Sequence, residues 1–376
     1  MNLLVLRDGI DPRVLEAKIA GRRLEEYISI NATPCFSIAR RKEPIGVTYA
    51  ALYVRADAWF TSNAFRALAD RLVASATTQV VIVKADGAEI LAARLSRHDA
   101  KRAFADCKAL PAADMLNALP GRLSNGITLG AAELDFEFPP QRAANLLDIA
   151  RIEKRISFER ARAALLEGVR IRDPDRIAIR GELICGQDVE IELDVIIEGN
   201  VTLGDGVKVG TGCILRNASI GSNSRINPYS IVEDAAIGAD SFVGPYGRIR
   251  PGTTIGDRVQ IGNFVEVKQS LVGAGSRINH LAFIGDATIG GNVTIGAGVI
   301  TCNHDGRCVN PTQIGAGAYV GSGTELVAPL SVGENAVIGA GSTITKDAPG
   351  GKLTIARSRQ VTIENWLQPE RGAKEN

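Results

Sequence analysis

The chain has 376 residues, with 43 basic and 42 acidic side chains that nearly cancel to a formal net charge of +1. There is no basic stripe interleaved with aromatics, which argues against a nucleic-acid footprint, and no segment has the uninterrupted apolar length of a membrane span. One compact core rarely organises a chain this long, so at least two structural units are expected.

The opening residues MNLLVLRDGIDP form a short apolar run broken by Arg7 and Asp8. Without a cationic leader or small-residue cleavage site, they point to a cytoplasmic protein. Residues 1–140 alternate short apolar runs (Val47 to Val54, Gln79 to Val83) with amphipathic stretches (Pro12 to Ile28, Asn63 to Ala74). This pattern predicts a small α/β domain with a partly parallel sheet. The Gly- and Pro-rich stretch from Gly121 to Pro140 reads as a boundary. Residues 141–175 carry a linker helix, with Leu146, Ile149, Ile152 and Ile156 at helical spacing and Gly168 as its stop. The six cysteines, Cys35, Cys107, Cys185, Cys213, Cys302 and Cys308, lack CxxC spacing and read as reduced thiols.

Residues 176–350 follow a different period. An aliphatic residue returns mostly every six positions from Leu203, Val209, Ile220 and Ile226 through Ile278, Ile284, Ile289 and Ile295, and the period resumes at Ile314, Val320, Leu326, Val332, Ile338 and Ile344. A six-residue repeat is the signature of a parallel β-helix, here a left-handed one, in which stacked coils bury a continuous aliphatic core. The phrase from Thr301 to Cys308 breaks the period and is expected to leave the coil as a loop, the place where function sits on so regular a scaffold. Residues 351–376 form a C-terminal tail. A prism with flat sides has no deep pocket of its own, so packing of three copies is expected to make the grooves, which predicts a homotrimer.

Two chemistries suit such a prism, zinc hydration and acyl transfer from coenzyme A. The chain holds three histidines, of which only His280 and His304 lie in the helix, too few for the usual zinc site, and no metal is expected there. Acyl transfer needs two reactants held in line, a base for the attacking amine and stabilisation of the oxyanion. His280 is the candidate base. Arg250 and Lys268, in the two coils before it, suit an anionic group such as a sugar phosphate.

From Asn145 to Trp366 the sequence resembles the acetyltransferase half of the bifunctional glucosamine-1-phosphate N-acetyltransferase / N-acetylglucosamine-1-phosphate uridyltransferase family. The phrases that carry the resemblance are LLEGVRIRDP (165–174), DVIIEGNVTLG (194–204), GNFVEVK (262–268), IGAGVITCN (295–303) and VAPL (327–330). It implies acetyl-CoA as the second substrate and glucosamine 1-phosphate as the first choice of acceptor, in the supply of UDP-N-acetylglucosamine for the cell envelope. It also implies His280 as catalytic base, Arg250 and Lys268 on the sugar phosphate, Asn303 on the sugar and acetyl group, Glu266 as an orienting group, and Ser322, Ala340 and Arg357 lining the cofactor groove. Phe283, Thr294, His304 and Ile363 depart from the family pattern. Phe283 and Thr294 still occupy its substrate-binding positions, which leaves the acceptor less defined than the donor.

The first domain is similar to a sugar nucleotidyltransferase only in pieces, IAGRRLEEYI (19–28) and RADAW (55–59), and reads as degenerate. Its opening LVLRDGID (4–11) lacks the Gly-rich phosphate loop of the family. Asp57 stands where a magnesium-binding Asp would, so magnesium is expected only if this domain is active. Two alternatives accompany the reading: an enzyme that also forms UDP-N-acetylglucosamine from UTP, and a non-catalytic trimeric scaffold.

Overall fold

The computed structural model describes residues 2–6, 10, 12–19, 22–33, 37–38, 51–74, 80–84, 90–95, 126–134, 140–364 and 366. The chain folds into two units. One comprises residues 1–167 with 173–183 and 196–199, and the other comprises 168–172, 184–195 and 200–376.

The first unit is built on a six-stranded sheet whose strands run in the order Ser37–Ile38, Asn2–Leu6, Ala51–Arg55, Ile90–Leu95, Val80–Lys84, Gly126–Gly130. Ile90–Leu95 is antiparallel to both its neighbours, and the remaining pairs are parallel. Every residue of this central strand is buried, as a continuous apolar run with one arginine requires. The helices Leu24–Ala32 and Ser62–Ala74 contribute Ile28, Phe65, Leu68 and Leu72 to a core with Leu52, Val54 and Leu91 of the sheet.

Three expectations change here. The helical stretch from Pro12 to Ile28 is split: Pro12–Glu16 is helical, Lys18–Ile19 and Arg22–Arg23 form an antiparallel pair, and helix resumes at Leu24. Gly21, next to Ala20 in the sequence, weakens any continuous helix through this point. The supposed boundary at 121–140 contains the strand Gly126–Gly130, whose Ile-Thr-Leu centre carries β propensity that its polar surroundings hide. The helix read from Gln141 begins only at Leu146, because Gln141–Arg142 pairs as a strand with Ala58–Trp59.

Asn145 caps that helix, its side-chain oxygen accepting the N–H groups of Leu147 and Asp148 at 2.9 and 3.1 Å. Ile149, Ile152 and Ile156 pack into a second core with Ile10, Val14, Tyr27, Trp59 and Ala143. Farther along, the Ser157 hydroxyl donates to the Ile177 carbonyl at 2.9 Å and accepts from the Ile179 N–H at 2.8 Å, which fixes the helix against the strand that follows it.

The second unit is a three-faced parallel β-helix. Its first face is an eleven-stranded sheet running from Arg170–Ile171 to Leu353–Thr354. The second and third faces share one sheet of fifteen strands. Long strands such as Ile214–Ile220 and Ile231–Ile237 cross the corner between them, and later coils split into separate short strands. The aliphatic positions of the six-residue period all point inward: Ile226, Val243, Ile261, Ile278 and Ile295 stack on the first face, Val232, Ile249, Val267 and Ile284 on the second, and Ile237, Ile255, Val272 and Ile289 on the third. All are at most 3% exposed.

The break in the period is narrower than the sequence implies. Ile300–Cys302 remains a strand of the second face, paired with Glu325–Val327, and Thr312–Ile314 rejoins the third face. Thr301 takes the inward place of an aliphatic residue at 0% exposure, its hydroxyl accepting the Gly285 N–H at 2.8 Å. A satisfied hydroxyl costs little in the core, so the coil continues where hydropathy says it stops.

Candidate functional site

His280 ends the first-face strand Arg277–His280, at the corner where the chain turns onto the second face. The corner residue Leu281 sits in the left-handed region at φ 49. Register places His280 directly beside Asn263 of the preceding coil, and the imidazole Nδ1 lies 2.7 Å from Asn263 Oδ1. With Oδ1 as acceptor, Nδ1 carries the proton and Nε2 presents its lone pair to solvent, which is the tautomer a general base needs.

The corner repeats the same backbone bond coil after coil: Leu281 N–H to Asn263 O, Gly298 N–H to His280 O, Gly323 N–H to Ala297 O and Gly341 N–H to Ser322 O. Asn263, His280, Ala297, Ser322 and Ala340 therefore form one column along a single edge of the prism. Arg357 closes its far end, its Nη1 donating to the Ala340 carbonyl at 2.9 Å. On the other side of His280, Tyr229, Tyr246 and Phe264 stack at the corner with ring centroids 5.3 and 5.1 Å apart. They leave a groove lined by Tyr246, Asn263, Phe264, Asn279 and His280. All three rings are about half exposed and sit at φ between 55 and 59, a left-handed conformation that is costly for bulky residues.

The second face carries the cations. Arg250 donates to Glu266 Oε1 at 2.7 Å, and the Lys268 ammonium lies 3.6 Å from Asp286 Oδ2. That same oxygen accepts from the Asn303 amide at 2.6 Å, so one carboxylate holds both side chains. Phe283 stands in register between Glu266 and Ile300 on this face. A side chain at Gly285, which pairs with Lys268, would start 2.6 Å from the Asn303 amide nitrogen and 2.8 Å from the Phe283 ring, so it would push both side chains out of place. Thr294 is placed apart on the first face, in register between Arg277 and Tyr319.

The loop after Asn303 is organised by Asp305. Its carboxylate accepts the N–H groups of Arg307 and Cys308 and the Asn310 amide, at 2.8, 2.7 and 3.0 Å, and these bonds pull its pKa down to about 2. His304 is used within the loop, its Nδ1 accepting the Gly306 N–H at 3.0 Å. Burial and the Glu325 charge raise the Cys302 thiol pKa. Cys213, Cys302 and Cys308 are free thiols, and Cys35 and Cys107 lie outside the described residues.

Sequence reasoning passed over Asn263 and Asp286. The signal was present: Asn263 precedes His280 by one turn of the coil and is its register partner, and Asp286 directly follows Gly285, the register partner of Lys268.

Asp57 does not fit the cation role. It is 1% exposed, and both its oxygens are engaged: Arg55 Nε donates to Oδ1 at 2.9 Å, and Arg55 Nη2 and Arg142 Nε donate to Oδ2 at 3.0 and 2.9 Å. A buried carboxylate already held by two guanidinium groups has its charge matched and little left to offer a cation. Among the described residues, no group of three or more His, Cys, Asp or Glu side chains is arranged to hold a metal, and no helix is long and apolar enough to cross a membrane.

Two family models match. Residues 179–253 fit the GMPPB C-terminal domain, and residues 311–346 fit the bacterial transferase hexapeptide of six repeats. Among curated proteins, the Bifunctional protein GlmU of Bordetella parapertussis is 47% identical over 247 residues, covering 66% of this chain and 54% of the relative. The protein of the same name from Chromobacterium violaceum is 46% identical over 249 residues, covering 66% and 55%. Of solved structures, the UDP-N-acetylglucosamine acyltransferase from Campylobacter jejuni matches at 20% identity with a TM-score of 0.30, over 50% of this chain and 70% of that one, too loosely to argue from. Over about two thirds of its length the chain is homologous to these GlmU proteins and carries a transferase-type hexapeptide β-helix, and it spans about half the length of the curated relatives it matches.

Proposed function

We propose that this GlmU relative transfers the acetyl group of acetyl-CoA to the amine of an amino sugar 1-phosphate, with glucosamine 1-phosphate as the favoured acceptor. The observation that carries the reading is the His280–Asn263 pair at 2.7 Å, set in the same corner column as Ser322 and Ala340 and next to a face bearing Arg250 and Lys268. In the proposed reaction His280 Nε2 takes a proton from the acceptor amine as its nitrogen attacks the thioester carbonyl. The C–N bond forms, the C–S bond breaks, and the proton passes from His280 to the departing coenzyme A sulfur.

Arg250 and Lys268 bind the 1-phosphate, exchanging part of their contact with Glu266 and Asp286 for the ligand's oxygens. Asn303, held by Asp286, meets the sugar beside the acetyl group, and Phe283 borders the same substrate. Ser322, Ala340 and Arg357 accommodate the coenzyme, Arg357 meeting its phosphates. Three chains form a homotrimer, whose grooves complete the site. Uridylyl transfer is not part of this proposal, because Asp57 is engaged by Arg55 and Arg142.

An acceptor screen with acetyl-CoA tests the reading. Glucosamine 1-phosphate should be acetylated far faster than free glucosamine, and equal rates for the two would remove the assigned roles of Arg250 and Lys268.

A further inference from the structure

We propose that the first unit carries a second ligand site, for a phosphorylated small molecule with a flat ring, on the helix Leu146–Leu166. Arg151, Lys154, Arg155 and Phe158 follow the i, i+3, i+4, i+7 spacing that places them on one side of this helix, while Ile149, Ile152 and Ile156 turn into the core. These four residues, with Gln141 and Asp175, line an open surface depression of about 510 Å³ within the first unit, a size that fits a small organic molecule better than a single ion.

The charge balance favours an anion. Among the described residues, three cations line the depression against one carboxylate, Asp175, which lies 3.4 Å from the Lys154 ammonium. Arg151 also meets Asp148 at 3.3 Å, but that carboxylate accepts the Ala144 N–H at the helix start and does not line the depression. Arg151 and Lys154 are 68% and 70% exposed, so both heads can turn toward a ligand at little cost. The Arg155 guanidinium lies 5.9 Å from the centre of the Trp59 ring, a stacking that holds its plane in place. Phe158 is half-buried against the core and supplies an apolar wall.

A row of charges on a helix is usually a solvated face. Here the row borders a concavity with an aromatic wall, and forked guanidinium donors suit phosphate oxygens. A nucleoside diphosphate meets both features, since its phosphates match the cations and its base the flat surfaces. None of these residues belongs to the acetyl-transfer site, so the inference stands independently of that function.

The test is calorimetric titration of the full chain at low ionic strength with ADP, pyrophosphate and inorganic phosphate. ADP should bind most tightly and inorganic phosphate most weakly. The double variant Arg151→Gln/Lys154→Gln, which should keep its fold by circular dichroism because both positions are exposed, should weaken ADP binding by about tenfold or more. Because acetyl-CoA contains an ADP-like portion, Arg357→Ala serves as the second arm and should leave ADP binding unchanged. Undiminished binding in the double variant, loss of binding in Arg357→Ala alone, or no binding of any probe would each overturn the proposal.

Discussion

Asn263→Ala removes the acceptor that fixes the His280 ring and changes nothing else at the corner. Asn263 and His280 are register partners on adjacent coils, and their side chains meet at 2.7 Å. A hydrogen bond between neutral partners contributes about 0.5–1.5 kcal/mol net. A ring released from it also loses its preference for the Nδ1–H tautomer and for one orientation. At about 1.4 kcal/mol per factor of ten, a loss of that size corresponds to a fall in kcat of roughly 2- to 12-fold, to which the freed tautomer and orientation add. KM for acetyl-CoA should barely move, because Ser322, Ala340 and Arg357 are untouched. Steady-state release of coenzyme A, followed with a thiol reagent, measures both constants. Asn263→Asp keeps an acceptor oxygen and should recover most of the lost turnover. If Asn263→Ala turned over at the native rate, or if Asp were as damaging as Ala, Asn263 would not be positioning the base.

Other outcomes follow from the same geometry. Asp57→Ala removes the buried carboxylate to which Arg55 and Arg142 both donate and should destabilise the first unit by about 3–5 kcal/mol, read from denaturant unfolding; an unchanged midpoint would contradict the clamp. Because the Asp305 pKa is lowered from 3.8 to about 2, the loop it organises is fully supported above pH 3.8 and loses that support as the pH falls through about 2. An NMR carboxyl titration with a midpoint near 3.8 would refute this. Burial raises the Cys213 thiol to about 11, whereas Cys308 is exposed, so iodoacetamide at mildly alkaline pH should alkylate Cys308 well before Cys213; equal rates would be inconsistent with the fold.

The β-helix was legible because one physical rule repeats in every coil: an aliphatic residue points inward every sixth position, and the residues from Ile226 to Ile344 obey it. The rule bends at five-residue steps such as Val267 to Val272 and at the loop after Asn303, and at Thr301 a hydroxyl satisfied by the Gly285 N–H replaces a hydrophobic contact. His280, Arg250 and Lys268 could be picked out as chemistry on this frame. Their holders Asn263 and Asp286 could not be found from composition, since they matter only through register. The first unit was harder to read because strands as short as Lys18–Ile19 and Gln141–Arg142 carry too few residues to show a period and are stabilised by pairing with other strands. The role of Asp57 likewise depends on Arg142, 85 positions away.

The most direct measurement is release of free coenzyme A from acetyl-CoA and glucosamine 1-phosphate by the intact chain and by His280→Ala. The account predicts steady turnover by the native protein and a loss of at least about 100-fold in the variant, with acetyl-CoA still bound. Full turnover by His280→Ala, or no release with any amino sugar phosphate, would contradict it.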